Sequence, residues 1–335
     1  MRAAAEQRTK RQMTIKVALI GLGIMGRRML EHMDRHDDFS PVALWDPDPK
    51  ACSAAQQLCP QAEIAVDHSS AIAAADLVYL ACPPEPRRAL TLAAAKAGKA
   101  IFLEKPLGVD LNASANMVAA LKTASVAVAV NFTQAAGAAL ADISKTTADG
   151  GLGDIVGVDM VVTYAAWPRG WQQQADWLRF RDEGGMTREV ISHFLFFSER
   201  LLGPLSVIFA HPTYPDDSSL CETHLLARLE TAQGQPVSIL ASVGGVQPDR
   251  QEVTIKGSRA SRRVSEFSVD MESGGGPFIA IEQAPDNSRA VALKAQLDEL
   301  ALCVAGKPHR LATLDEALRV QRLVEQMLAS EGTPG

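Results

Sequence analysis

Short apolar runs alternate with helix-forming segments through the first 131 residues, and this alternation limits the fold more than any other feature of the sequence. Six runs have the length and residue types of buried strands, at residues 15–20, 41–45, around 64, 77–81, 99–103 and 126–130. Strands that alternate with helices form a parallel sheet with helices on both faces. The sequence therefore predicts an α/β domain built on a doubly wound parallel sheet.

The first predicted strand runs directly into a glycine-rich turn with the pattern Gly-x-Gly-x-x-Gly. Between a strand and a helix, such a turn binds the pyrophosphate of a dinucleotide, because its glycines allow a tight turn, close approach of backbone amides to phosphate, and close packing of the helix on the strand. The pattern alone is weak evidence and needs support from the rest of the domain. The turn residues predicted to contact a cofactor are Gly21, Gly23, Ile24, Met25 and Gly26.

That support comes from Asp46, which ends the second predicted strand 20 residues after Gly26. This is the spacing of an acidic residue that binds the ribose 2′-hydroxyl of the cofactor. A carboxylate at this position repels a 2′-phosphate, so NAD is favoured over NADP. Lys50 lies close enough in the sequence to keep NADP possible.

A second candidate feature is the segment Glu104-Lys105-Pro106, which follows the apolar residues of the fifth predicted strand. Ligands bind outside the carboxyl ends of the strands in open α/β sheets, so an amine there points towards the site. Pro106 favours an extended conformation of Lys105. Taken alone, the tripeptide fits an ordinary surface lysine better than a site lysine. Only the glycine turn indicates that a cofactor binds near Lys105.

Residues 15–131 resemble the cofactor domain of the glucose–fructose oxidoreductase, inositol dehydrogenase and MocA (Gfo/Idh/MocA) family in the glycine turn, in the Cys-Pro-Pro exit of the fourth strand and in the Glu-Lys-Pro segment. The resemblance implies that Lys105 lies beside the nicotinamide and serves substrate binding and proton transfer. It also implies a cis peptide bond before Pro106. Arg87 departs from the family pattern, since relatives often have a histidine there. Further cofactor contacts are expected from Cys82, Pro83, Pro84, Glu104, Lys105 and Asn131.

The pattern changes after residue 131, where β-prone runs follow one another closely, at residues 155–164, 205–210, 220–229, 237–243, 252–255 and 264–269. We expect a disordered extension over residues 1–13, a dinucleotide-binding domain over 14–131, and an α+β domain over 132–330 with an open, mainly antiparallel sheet. Thr313 and Glu316 form a capping box for a last helix that packs back on the body. The resemblance implies a homodimer or homotetramer formed through the second sheet.

A predicted helix over residues 187–202 supplies the second half of the candidate site. Glu189 and His193 are four residues apart and hence neighbours on one helix face, where the carboxylate can orient the imidazole and stabilise its charged form. By frequency alone, His193 is better explained as a partly exposed helix histidine than as a site residue. The family pattern favours a site residue, because Gly184, Gly185, Glu189 and His193 fall in register with it. It implies that His193 is the catalytic acid or base, assisted by Glu189.

Three of the four tryptophans lie between residues 167 and 177, where they form either a ring-stacking pocket or the core of the loop itself. Ile191 replaces a glycine of the family pattern and is expected to narrow the space for a sugar ring. Two arginines nearby can bind a substrate carboxylate, and each fits a surface charge equally well. No metal is predicted, since the remaining histidines lack metal-ligand spacing. The predicted substrate contacts are Lys105, Trp167, Arg169, Trp171, Arg188 and His193.

Composition argues against several classes of function. A net charge of −6 and the absence of lysine or arginine runs give no reason to expect nucleic acid as a partner. Five scattered cysteines without C-x-x-C spacing favour a reducing cytoplasm over a disulfide framework or a zinc site. No apolar run is long enough to cross a bilayer, and residues 1–12 lack the apolar core of a secretory signal, so no membrane association is expected.

The sequence thus predicts an NAD(P)-dependent oxidoreductase that transfers a hydride between nicotinamide and a secondary alcohol or carbonyl of a small sugar-like, polyol or ring substrate. Lys105, His193 and Glu189 are the predicted catalytic residues. Two alternatives stay open. One is an imine reductase or aldehyde dehydrogenase of the same fold, and the other is a nucleotide-sensing protein without catalysis.

Overall fold

The computed structural model describes residues 14–281 and 288–330. The predicted disordered extension, residues 1–13, lies outside them. Six parallel strands form the first sheet in the order β3-β2-β1-β4-β5-β6, which confirms the doubly wound prediction. They are β1 (Ile15–Ile20), β2 (Phe39–Trp45), β3 (Glu63–Ile64), β4 (Leu77–Leu80), β5 (Ala100–Glu104) and β6 (Val128–Asn131).

Five α-helices connect these strands, and the sequence signals that begin them are local. The side chains of Asp48, Asp67 and Asp110 each accept a hydrogen bond from a backbone amide in the first turn of the helix that follows. The strand order reverses between β1 and β4, which places a crevice at the carboxyl ends of these two strands. The helices are α1 (Ile24–Asp34), α2 (Pro49–Leu58), α3 (His68–Ala74), α4 (Pro84–Lys96) and α5 (Leu111–Ala124).

Eight strands form the second sheet, in the order β14-β13-β12-β11-β7-β10-β9-β8. Neighbouring strands are antiparallel except β7 and β10, so the prediction of a mainly antiparallel sheet is confirmed. The strands are β7 (Ile155–Tyr164), β8 (Leu205–Thr213), β9 (His224–Thr231), β10 (Pro236–Val243), β11 (Arg250–Gly257), β12 (Ser261–Ser265), β13 (Val269–Ser273) and β14 (Ile279–Ala280).

One strand prediction was wrong. The run over residues 264–269 is not a single strand, because the chain reverses at Glu266 and Phe267, whose φ angles are 51° and 62°. These two residues turn β12 into β13, which pair as an antiparallel hairpin.

The helices of the second half join the two sheets. Leu293, Leu297 and Leu300 pack in one cluster with Leu19 and Tyr79 of the first sheet. The predicted capping box of Thr313 and Glu316 is present, and the last helix buries its apolar face. The division into domains at residues 131 and 132 stays a prediction. These helices are α6 (Ala138–Ala148), α7 (Ser192–Leu202), α8 (Ser288–Val304) and α9 (Leu314–Leu328), with short 3₁₀ turns at Thr133–Ala136, Gly170–Gln172 and Asp176–Arg179 and a π-helical turn at Thr187–Ile191. No helix of the described residues is both long enough and apolar enough to span a bilayer.

Candidate active site

A cleft of about 1830 Å³ lies at the carboxyl edge of the first sheet and extends to the second half of the chain. It brings together the glycine turn, the end of β5 and the start of α7, which are far apart in the sequence. Most of the residues predicted for the site line it: Gly21, Gly23, Ile24, Met25, Asp46, Cys82, Pro83, Glu104, Lys105, Asn131, Arg169, Trp171, Glu189 and His193. Trp177 also lines the cleft.

The glycine turn has the geometry that a bound dinucleotide requires. Gly21 has a φ of 91°, and a side chain there would collide with the backbone of Cys82. A side chain at Gly26 would overlap the carbonyl oxygen of Gly21, so this glycine allows α1 to pack against β1. A methyl group at Gly23 would meet no heavy atom within 4 Å, so there is open space beside the amides that begin α1. An anion is stabilised at such a helix start.

Asp46 is held at the end of β2 by two backbone amides. Its carboxylate accepts hydrogen bonds from the amide of Leu22 at 2.7 Å and the amide of Asp48 at 2.9 Å. The side chain is half-buried and lines the cleft. Each carboxylate oxygen has more than one lone pair, so acceptor capacity remains for ribose hydroxyls.

A buried polar network supports the cleft floor at the ends of β4, β5 and β6. The carboxyl group of Glu104 accepts hydrogen bonds from the hydroxyl of Tyr79 and from Asn131 Nδ2, the latter at 2.7 Å. Burial raises the pKa of Glu104. Asn131 Oδ1 is buried and has no hydrogen-bond partner among the described residues, so it can accept a hydrogen bond from a bound ligand.

Arg87 holds the backbone on both sides of Lys105. Its side chain is only 2% exposed, and the guanidinium donates to the carbonyl oxygens of Cys82, Glu104 and Pro106, at 2.7 Å for Glu104. The predicted cis peptide bond between Lys105 and Pro106 is present. Sequence reasoning identified Arg87 only as a departure from the family pattern and missed this contact.

Lys105 crosses the cleft to Glu189. Its Nζ donates to the backbone carbonyl of Glu189 at 2.8 Å and forms an ion pair with the carboxylate of the same residue. Glu189 also accepts a hydrogen bond from Gln172 at 3.1 Å, and Gln172 in turn accepts one from Arg169 at 2.8 Å. A chain of polar contacts therefore links Lys105 to Arg169.

The predicted pairing of Glu189 with His193 was wrong. The backbone over residues 187–191 is π-helical, with the amide of Ser192 bonded to the carbonyl of Thr187 five residues earlier. Residues four apart no longer stack on one face in such a turn. Glu189 consequently contacts Lys105 instead of the imidazole.

His193 lies in an apolar, aromatic environment at the start of α7. Its side chain is 7% exposed, and the rings of Phe132 and Phe267 meet it edge-on with centroids 5.7 and 5.3 Å away. Burial, followed by the charges of Lys105 and Arg169, lowers the pKa of His193 well below its usual 6.5. The imidazole is therefore neutral near pH 7 and able to accept a proton.

Residues 15–132 match the sequence model of an oxidoreductase family with an NAD-binding Rossmann fold. Over these residues the chain has the NAD-binding domain of the Gfo/Idh/MocA family. NAD is the cofactor of its first domain, and the open space at Gly23 and the free acceptor of Asn131 fit such a ligand.

Several known proteins resemble the chain over most of its length. The inositol 2-dehydrogenase of Rhizobium meliloti is 24% identical over 274 residues, which is 79% of this chain and 80% of the relative. The structure of an inositol dehydrogenase homologue from Azotobacter vinelandii in complex with NAD⁺ has a TM-score of 0.82 and 19% identity, covering 96% of this chain and 97% of the other. The WlbA dehydrogenase of Bordetella pertussis, in complex with NADH and UDP-GlcNAcA, has a TM-score of 0.78 and 21% identity, with 95% of each chain covered. The structural likeness shows a shared fold.

Two of the predicted substrate contacts lie outside the residues that line the cleft. Arg188 binds the carboxylate of Glu325 through two hydrogen bonds of 2.7 Å and donates to two backbone carbonyls, so its guanidinium is already satisfied within the protein. Trp167 donates its indole N–H to the carbonyl of Leu178 at 2.9 Å and packs against the main hydrophobic core. The physical reason is the same in both cases, since each polar group has a partner inside the fold.

Three other positions singled out from the sequence also lie outside the cleft lining. Pro84 is the first residue of α4 and does not line the cleft. Gly26 contacts Gly21 instead of open space. Ile191 is fully buried, so it does not narrow the cleft as expected.

Phe267 lines the cleft and was not predicted from the sequence. Its ring contacts His193 and stacks on Phe194 with centroids 5.3 Å apart. A φ of 62° is unusual for a bulky residue. No glycine or asparagine marks the turn, so the sequence carries no local signal for it.

Proposed function

We propose that this protein is an NAD-dependent dehydrogenase that acts on a secondary alcohol, or on the corresponding carbonyl, of a small substrate. One observation carries the proposal. A buried lysine and a buried, neutral histidine line the same cleft as the glycine turn that holds a dinucleotide. A proton acceptor and a cationic hydrogen-bond donor at one oxygen are what alcohol oxidation requires.

His193 takes the hydroxyl proton as the alcohol is oxidised, because its imidazole is neutral at the working pH. Lys105 donates a hydrogen bond to the same oxygen and stabilises the negative charge that develops there. An ammonium group has three donors, and Glu189 occupies two of them, so one remains for the substrate. Glu189 thus holds Lys105 in place. When bound, NAD supplies the hydride acceptor.

The cofactor is held by the backbone of the glycine turn at its pyrophosphate and by Asp46 at a ribose. Cys82, Pro83, Glu104 and Asn131 line the cleft farther towards Lys105. Because Asp46 would repel a 2′-phosphate, NAD is preferred to NADP. Titration of the protein with NADH and with NADPH, followed by fluorescence, measures this preference directly.

A second candidate reaction, the reduction of a cyclic imine or the oxidation of an aldehyde, is favoured by the aromatic surroundings of His193. Phe267 lines the cleft beside His193, and its ring offers a less polar wall than a polyol needs. The substrate class separates the two reactions. Polyols and sugars support the first, whereas cyclic imines or aldehydes support the second.

The proposal also includes a homo-oligomer formed through the second sheet in a reducing cytoplasm. Leu226 and Leu240 are directly paired neighbours on β9 and β10, and both are more than half exposed, at 55% and 51%. Ile208 on β8 is 57% exposed. A second copy would cover these side chains. All five cysteines are free and buried, which suits a reducing compartment. Light scattering of the wild type and of Leu226→Glu with Leu240→Glu tests the interface, since the double variant should be monomeric.

The function is tested with a panel of sugars, polyols, keto acids, aldehydes and cyclic imines, followed by the absorbance of NADH. Turnover of an alcohol or carbonyl compound with NAD(H) is expected. NADH binding without turnover of any compound in the panel would contradict the enzymatic proposal and favour a nucleotide-sensing protein.

A further inference from the structure

Trp171 lies at the cleft with three arginines around its ring. The guanidinium carbons of Arg169, Arg28 and Arg289 lie 4.8, 5.3 and 5.7 Å from the ring centroid. They come from separate parts of the fold, namely the loop after β7, the helix α1 and the first turn of α8. All four residues line the cleft.

These three positive charges have no carboxylate partner within residues 14–281 and 288–330. Within the described part of the chain, Arg28 donates only to Met25 Sδ, at 3.3 Å. Arg169 donates to neutral groups, Gln172, Tyr164 and Gln251, at 2.8, 3.5 and 3.3 Å. Arg28 and Arg169 are half-buried and Arg289 is exposed, whereas other half-buried or buried arginines of this chain, such as Arg200 and Arg262, form ion pairs with carboxylates. The arginines at Trp171 are thus unlike these, and their charges repel one another.

Burial, followed by the charge of the neighbouring Arg289, lowers the pKa of Arg28. A bound anion would relieve the repulsion, and a guanidinium can bind a carboxylate or phosphate through two parallel hydrogen bonds. The flat ring of Trp171 adds a surface for the body of the ligand.

The position of the cluster relates it to the reacting end of the cleft. Arg169 is linked through Gln172 to Glu189, and Glu189 binds Lys105. An anionic group at Trp171 and a hydroxyl group at Lys105 can therefore belong to one small molecule.

We propose that the substrate carries a carboxylate or phosphate group that Arg28, Arg169 and Arg289 bind beside Trp171, while its hydroxyl-bearing carbon faces Lys105 and His193. The substrate class is a hydroxylated acid or phosphate ester, such as a sugar acid or a sugar phosphate. This inference rests on the proposed dehydrogenase function.

Calorimetric titration of the NADH-saturated protein tests the anion site independently of turnover. The probes are glucuronate, glucose 6-phosphate, inorganic phosphate and uncharged glucose. At least one anionic probe should bind about 10-fold more tightly than glucose, because hydrogen bonds to charged groups are roughly twice as strong as neutral ones. Arg169→Gln and Arg289→Gln should each remove about 10-fold of that affinity, and Arg289→Gln, which lies outside the chain of contacts to Lys105, should leave glucose binding unchanged. Arg322→Gln, an exposed arginine on α9 away from the cleft, is the matched control.

Equal affinity for all four probes, or anion affinity that is the same in the arginine variants, would overturn the inference. So would a loss of NADH affinity in these variants without a loss of anion affinity, since the cluster would then serve the cofactor pyrophosphate. The outcome for the dehydrogenase proposal is separate. Tight anion binding without turnover of any compound supports the anion site and contradicts the proposed reaction. Turnover of neutral compounds alone supports the proposed reaction and contradicts the anion site.

Discussion

Replacing Arg87 by methionine tests whether this buried side chain positions Lys105. The change keeps a long apolar stem and removes three hydrogen bonds to the carbonyl oxygens of Cys82, Glu104 and Pro106. Hydrogen bonds from a charged donor stabilise by about 1.5–3 kcal/mol each, which gives an upper limit of roughly 9 kcal/mol for three. Part of this is offset because the variant no longer buries a charge. We expect a net loss of about 3–5 kcal/mol in the free energy of unfolding.

The loss is measured as a shift in the urea midpoint, with Arg87→Lys as the control. Lysine keeps the charge but cannot reach three carbonyl groups in the planar arrangement of a guanidinium. The loss in the free energy of unfolding should therefore be smaller in Arg87→Lys than in Arg87→Met. Because two of the three carbonyls flank Lys105, kcat/KM should also fall by roughly 100-fold in Arg87→Met. Unchanged stability and unchanged kcat/KM in the methionine variant would refute the positioning role.

Three further predictions concern the cofactor turn, the histidine and the ion pair behind the cleft. Gly23→Ala should weaken NADH binding by about 10-fold or more without changing the urea unfolding midpoint. Gly26→Ala should destabilise the protein by about 1–3 kcal/mol or more, because its methyl group meets backbone and that of Gly23→Ala does not. Equal effects of the two variants on NADH titration and on urea unfolding would contradict this prediction. Burial lowers the pKa of His193 below 6.5. We therefore expect kcat/KM for alcohol oxidation to stay level from about pH 8 to 6.5 and to fall only in more acidic buffer, as the imidazole gains a proton. A fall in kcat/KM that begins above pH 7 would argue against a neutral buried base. Arg188→Met should lower the free energy of unfolding by about 3–5 kcal/mol, because it leaves the carboxylate of Glu325 without its partner, and should leave the substrate KM unchanged. A raised KM with an unchanged free energy of unfolding would instead support the predicted role of Arg188 at the substrate.

The sequence predicted those parts of the fold that local patterns determine. The strands and helices of the first sheet follow from apolar periodicity. The capping box at Thr313 is equally local. The glycine turn and Asp46 were recognisable because their spacing along the chain reflects their contacts in space.

The missed features depend on contacts between distant residues. Arg188 and Glu325 are separated by 137 positions, and no local signal shows that one binds the other. The π-helical turn before α7 moves Glu189 towards Lys105, and helix periodicity assumes the α-helical rise that this turn lacks. Phe267 adopts a left-handed conformation without any of the residue types that usually mark it. These are positions at the cleft or directly behind it, where packing between the two sheets overrides local preference.

The central claim is that Lys105 and His193 act on the same substrate oxygen, and the turnover of His193→Ala and Lys105→Met on an identified substrate tests it most directly. Each variant should lower kcat by about 10²–10⁴-fold. His193→Ala should keep NADH affinity near that of the wild type, since His193 is not among the predicted cofactor contacts. His211→Ala, an exposed histidine on β8, should keep wild-type turnover as the control. Wild-type kcat in both Lys105→Met and His193→Ala would contradict the claim.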